Sequence, residues 1–165
     1  MKKWLQLLAC LAAIFVTNHG AFAQQSPPPT VPRSAIIARP SAQVFDSLKH
    51  YFADTLTHHF KLISANPATG VIVAKRSGID ENTWGNLAFC KTQSVNMLDT
   101  LNEGAVTVTV TVKAETPKAT RVTISPDFKG YYSLGNAQDV ISCQSKGALE
   151  DQILASAGLV APAPL

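Results

Sequence analysis

Between Ala105 and Val112 the chain alternates without a break. Val106, Val108, Val110 and Val112 fall on one side of an extended segment, and Thr107, Thr109 and Thr111 on the other. A period of two marks a β-strand with one dry and one wet face. Half-buried strands of this kind belong to antiparallel sheets. Beyond Thr116-Pro117-Lys118 the pattern resumes with Val122 and Ile124. Directly opposed residues of an antiparallel pair share a face, so even positions must meet even positions. A two-residue loop would set Val112 against Thr123. A three-residue loop of Thr116, Pro117 and Lys118 sets Val112 against Val122 and Val110 against Ile124, unless a bulge at the turn shifts the register.

The pattern changes elsewhere. Ala35 to Ala38 is a short apolar run that opens the sheet, Pro40 stops it, and Ser41 can cap a helix. Val44, Phe45, Leu48, Tyr51, Phe52 and Leu56 then recur at helical spacing, which predicts one amphipathic helix from Ser41 to Thr57. Phe60 to Ala65 and Val71 to Arg76 read as strands around a turn at Asn66 to Gly70. Ser77 to Gly85 reads as a polar loop and Leu87 to Thr92 as a strand. Pro126 to Asn136 reads as irregular chain, and Asp139 to Ser142 as a short extended piece. Leu149, Ile153, Leu154 and Ala157 predict a closing helix from Gly147 to Ala157, with Gly158 ending it. The expected fold is α+β: an antiparallel sheet of about five strands packed against an N-terminal and a C-terminal helix, as one domain over residues 35–158.

The first residues read as an address. Met1-Lys2-Lys3 is a positive start, Trp4 to Val16 is apolar, and Ala21-Phe22-Ala23 is a small-residue cleavage site. Together they predict a secretory signal peptide over residues 1–23, cleaved after Ala23, and a mature protein in the bacterial periplasm. Leu7-Leu8-Ala9-Cys10 resembles a lipobox, but cleavage there leaves too short a hydrophobic core. Membrane association would require acylation of Cys10. Residues 24–34 form a Pro-rich leader with no core to fold around, and residues 159–165 a flexible tail.

Charge adds little. The formal net charge is +3, and without Lys2 and Lys3 it is +1. A nearly neutral domain gives no electrostatic case for nucleic acid or an anionic membrane. Removing the signal peptide also leaves two cysteines, Cys90 and Cys143. An even count in an exported chain predicts a disulfide, and no Cys-x-x-Cys spacing suggests a redox site.

Candidate chemistry is sparse. His50, Asp54 and His58 are spaced i, i+4, i+8, so a continuous helix would align imidazole, carboxylate and imidazole as a zinc ligand set, with His59 as a possible fourth. The competing reading is the polar face of an amphipathic helix. Asp80 and Glu81 are neighbours in one loop, unlike paired carboxylates that converge on a substrate. No nucleophile elbow, phosphate loop or dinucleotide fingerprint is present, so no catalytic residue and no cofactor is assigned. Trp84, Tyr131 and Tyr132 fall in expected loops, where they would form a binding platform or cap an open end of the core.

Two stretches carry a resemblance. One runs from Phe60-Lys61-Leu62 through Asn66, Pro67 and Thr69 to Gly70-Val71-Ile72-Val73-Ala74. The other is Ser142-Cys143-Gln144-Ser145-Lys146-Gly147-Ala148-Leu149-Glu150. Together they resemble small, largely uncharacterised periplasmic proteins and lipoproteins of Gram-negative bacteria. The helix followed by a hairpin is similar to the helix-grip domains of outer-membrane assembly lipoproteins. The resemblance implies an accessory role in the envelope, without catalysis. The leading expectation is therefore a non-enzymatic interaction domain with an envelope protein as partner. The alternatives are a small-ligand or lipid binder with a cavity between helix and sheet, and a metal-dependent hydrolase built on His50, Asp54 and His58.

Overall fold

A computed structural model describes residues 32–54, 58–90, 100–134 and 137–158. The expected signal peptide with Cys10, most of the expected leader and the expected tail lie outside the described residues. The order is β1 (Arg33–Ile37), α1 (Ser41–Ala53), β2 (Lys61–Asn66), β3 (Val71–Ile79), α2 (Glu81–Leu87), β4 (Ala88–Phe89), β5 (Thr100–Thr116), β6 (Ala119–Leu134), β7 (Ala137–Ser145) and α3 (Ala148–Ser156). The strand β1 thus starts at Arg33, within the stretch expected as leader.

The fold class holds in its coarse form: the described residues form seven antiparallel strands in place of about five, and a third helix between β3 and β4. The path across the sheet is β2-β3-β5-β6-β7-β4, with β1 also paired to β6. The strand β6 thus has β5 along one side. On its other side it takes β1 from Thr120 to Ile124 and β7 from Phe128 onward.

This changeover explains why residues 126–134 are strand and not irregular chain. Pro126 lies in the gap between the two partners, opposite Val108 of β5. A residue without an N–H costs a sheet least where the ladder is already interrupted.

The hairpin register is as expected: Val112 pairs with Val122 and Val110 with Ile124. The turn achieves it differently. Thr116 pairs with Ala119, leaving a two-residue turn, and the register shifts between Ala114 and Thr116. A bulge restores the parity that the valine face requires.

The even side chains of β5 and β6 join Ile37, Ile72 and Ala74 under the helices. Val44, Phe45, Leu48 and Phe52 of α1, Trp84 and Leu87 of α2, and Leu149, Ile153 and Leu154 of α3 complete one buried cluster. The structure is thus a layer of helices on one face of a sheet.

Local chemistry explains the boundaries. Pro40, not Ser41, is the N-cap of α1, and it supplies no side-chain hydrogen bond. The helix stops at Ala53, short of the expected Thr57, and His59 takes a left-handed φ of 58°. At the β2–β3 turn the Asn66 carboxamide oxygen accepts from the backbone N–H groups of Ala68 and Thr69. A Cβ on Gly70 would sit 2.1 Å from the Val112 carbonyl oxygen, so only glycine fits there.

The helix α2 begins with Asp80 as N-cap. Its carboxylate accepts from the Thr83 N–H at 3.0 Å and from the Thr83 hydroxyl at 2.8 Å. These bonds, the backbone one foremost, hold the Asp80 carboxyl below its usual range. A depressed carboxyl adds stability above its unfolded pKa, and loses it as the pH falls through the folded value. Amide exchange at Thr83 should therefore quicken as the pH falls below about 4, after correction for intrinsic exchange. Asp80→Asn should abolish that step.

Candidate functional site

The histidine stripe is not assembled. The helix ends at Ala53 and Asp54 is its C-cap, so His50, Asp54 and His58 share no continuous helix. The His58 ring instead stacks on Tyr51, with centroids 3.9 Å apart. Among the described residues no three His, Cys, Asp or Glu side chains form a group able to hold a metal. The i, i+4, i+8 spacing assumed that the helix continues past Ala53 to His58, whereas Asp54 already closes it.

The aromatic platform also resolves differently. Trp84 lies on α2 and is buried, and Tyr131 and Tyr132 lie on β6, so none of the three occupies a loop. Gly104 of β5 and Gly130 of β6 are register partners. A Cβ on Gly104 would fall 2.1 Å from the Trp84 ring, and one on Gly130 would fall 2.7 Å from the Tyr132 ring. The two glycines open a flat gap in the sheet, and the two aromatics lie over it. Phe128 meets Trp84 edge-on at 5.5 Å. Burial pushes the Tyr132 phenol up, and the Trp84 indole beside it pulls the other way. That indole N–H is itself buried without a hydrogen bond of full geometry. Trp84 and Tyr132 therefore cap the Gly104–Gly130 pair of the sheet. Tyr131 faces the opposite side, between Glu103 and Val140.

Cys90 and Cys143 form a disulfide with Cα atoms 4.3 Å apart. Phe89 pairs with Gln144, so the cysteines are the next partners in the same antiparallel register. The bridge ties the two-residue β4 to β7.

The stretch from Ser142 to Glu150 also proves structural. The Ser145 hydroxyl accepts from the Gly147 N–H at 2.9 Å and donates to the Glu150 carboxylate at 2.7 Å. Gly147, at φ 88°, is the N-cap of α3, and Glu150 is buried near its start. A carboxylate in the first turn suits the positive end of a helix, and the relay through Ser145 resembles a capping box. Lys146 reaches across to the Gly85 carbonyl, joining α3 to α2. Ser145→Ala should cost about 1–3 kcal/mol in chemical denaturation, because it strands a buried carboxylate. Restoring the wild-type value with Ser145→Thr would confirm that the hydroxyl is the cause.

Little room remains between α1 and the sheet, where Val44, Leu48, Phe52, Ile72 and Val108 are fully buried. An open groove of about 510 Å³ lies instead at the N-terminal end of α1. It is walled by Ser41, Phe45, Pro67, Gly70, Val112 and Lys113.

Four large hydrophobic side chains are exposed among the described residues: Ile36, Ile63, Phe89 and Val140. Three of them lie on edge strands, with Ile36 on β1, Ile63 on β2 and Phe89 on β4. Sequence reasoning missed these residues, because an apolar side chain in a strand reads as core until the strand order is known.

No family model matches the sequence, and no curated protein matches it. Among solved structures, the chain is similar to a DUF4468 family protein from Bacteroides ovatus, at 16% identity and a TM-score of 0.36. The match covers 70% of this chain and 64% of that one. The helix-grip resemblance finds no support in these comparisons.

Proposed function

We propose that this chain is a non-enzymatic, periplasmic interaction domain of the bacterial cell envelope that engages a partner protein through the edges of its sheet. The observation that carries this reading is the placement of Ile36, Ile63 and Phe89 on three edge strands. Sheet edges present unpaired N–H and C=O groups, and proteins ordinarily guard them with charge, brevity or bulges. An apolar side chain held in solvent beside such an edge is what strand-adding recognition uses.

Chemical cross-linking in intact cells, followed by mass spectrometry, tests the reading. One reproducible envelope partner linked through β1, β2 or β4 is expected. The absence of any partner would overturn it. Sequencing the exported protein from Gln24 would establish the compartment, and retention of Met1 to Ala23 would refute it.

The groove beside α1 favours a second reading, a small-ligand binder, since its volume falls in the range of ligand sites. A Phe45→Ala variant that loses a ligand captured by the wild-type protein would support that reading, and unchanged capture would remove the groove from consideration.

A further inference from the structure

We infer that the open groove at the start of α1 is occupied by this chain's own residues 159–165. The inference goes beyond both readings above, and its failure would leave them standing.

A short run of contacts links the end of α3 to the groove. The Arg39 guanidinium donates to the Ala157 carbonyl at 3.4 Å. A Cβ on Gly158 would lie 3.0 Å from the same guanidinium nitrogen. The Arg39 carbonyl accepts from the Thr120 hydroxyl at 2.7 Å. Thr120 is in turn the register partner of Ala114, which lines the groove. Ser41 lines it too, and its Cα lies at most about 7.6 Å from that of Arg39, two residues earlier. The chain past Gly158 therefore starts from beside the groove. In a polyproline conformation, residues 159–165 reach about 22 Å. The Pro-rich leader is placed less well. It joins β1 at Arg33, opposite Ile124, whereas Thr120 pairs with Ile37 at the other end of the strand, about 13 Å away.

The chemistry agrees with the reach. The segment reads Leu159-Val160-Ala161-Pro162-Ala163-Pro164-Leu165 and has no charged side chain. Prolines keep such a segment extended before it docks, which lowers the entropy lost on binding, and grooves carrying an aromatic ring take segments of this kind. Around the groove Phe45 and Val112 are buried, and Ala42, Pro67, Ala68 and Ala114 add exposed apolar surface. Asp46 and Lys113 are both exposed, so an uncharged occupant leaves their charges in water. A segment on so short a tether is held at an effective concentration of about millimolar, and weak intrinsic affinity suffices. A small ligand would then enter the groove only by displacing residues 159–165.

The test places a benzoylphenylalanine photo-cross-linker singly at positions 161, 163 and 109 of the full exported chain. Each protein is purified as an equal mixture of heavy-isotope-labelled and unlabelled copies, and adducts are mapped by mass spectrometry. The expected result is an adduct within one chain, from 161 or 163 to Phe45, Ala68 or Lys113. Position 109, on the sheet face away from the helices, should give none of these. Ala68→Trp and Ala114→Trp, both at exposed sites, should each lower the groove adduct about tenfold by filling the space, with the melting temperature unchanged. Adducts that persist in both variants would overturn the inference, as would adducts to residues outside the groove or none at all. Adducts joining heavy to light copies would give the groove to a second copy of the chain and overturn it equally.

Discussion

Replacing Cys90 and Cys143 together by serine is expected to remove about 4 kcal/mol of stability, the chain-entropy value for a loop closed by cysteines 53 residues apart. In a domain of this size that lowers Tm by roughly 12–16 °C. The effect acts mainly through the unfolded chain, which gains the freedom the bridge denied it. A local effect adds to it. The strand β4 has only two register pairs with β7, so without the bridge it is the first element to open. Hydrogen exchange should therefore accelerate in β4 and the end of α2 well before the sheet centre is affected. Mass spectrometry of the native protein supplies the simplest check, since reduction must add the mass of two hydrogens. Free thiols before reduction would contradict the structure.

The second large effect is expected at the aromatic cap. Trp84→Ala should cost about 3–5 kcal/mol, because it empties the space over Gly104 and leaves Phe128 without its edge-on neighbour. Gly104→Ala should be similarly harmful for the opposite reason, since its Cβ would enter the Trp84 ring. The two substitutions share one volume, so the double variant should be less destabilised than the sum of the singles. Strict additivity in urea denaturation would show that Trp84 does not lie over Gly104. Trp84→Phe should be the mildest change, because it keeps a ring while removing a buried N–H without a full hydrogen bond.

These two sites show which parts of the molecule were legible in the sequence. The disulfide was readable from a cysteine count, and the Val112–Val122 register from parity, because both depend on constraints that few alternatives satisfy. The C-terminal helix and its glycine terminus, Gly158 at φ 84°, were readable from one apolar stripe. What escaped were elements whose reasons are tertiary. The helix α2 has seven residues and contains Gly85, so its sequence shows only an Asp80 cap and two apolar residues three apart, Trp84 and Leu87. Residues 126–134 contain Pro126 and Gly130, both turn signals. They remain a strand because β5 pairs along their length and because Gly104 and Gly130 accept the aromatics. The metal stripe failed for a related reason. Spacing along a helix carries no chemistry once the helix ends at Ala53. The exposed residues of β1, β2 and β4 were invisible because edge position is a property of strand order.

The double partnership of β6 has a consequence for the order of folding. The first of the described strands, β1, must pair with residues that follow it by about ninety positions, as Arg33 with Ile124. Until β6 exists, β1 has no neighbour among the described strands, and α1 can lay its apolar face only on β2, β3, β5 and Phe60. Loop closure over that span must come before any contact repays it, which makes folding slow relative to a chain of local hairpins. The β5–β6 hairpin is the largest unit that can form from neighbouring residues, so it is the natural nucleus. The strand β1 waits unpaired until that nucleus arrives, and during this interval the protein is most exposed to aggregation.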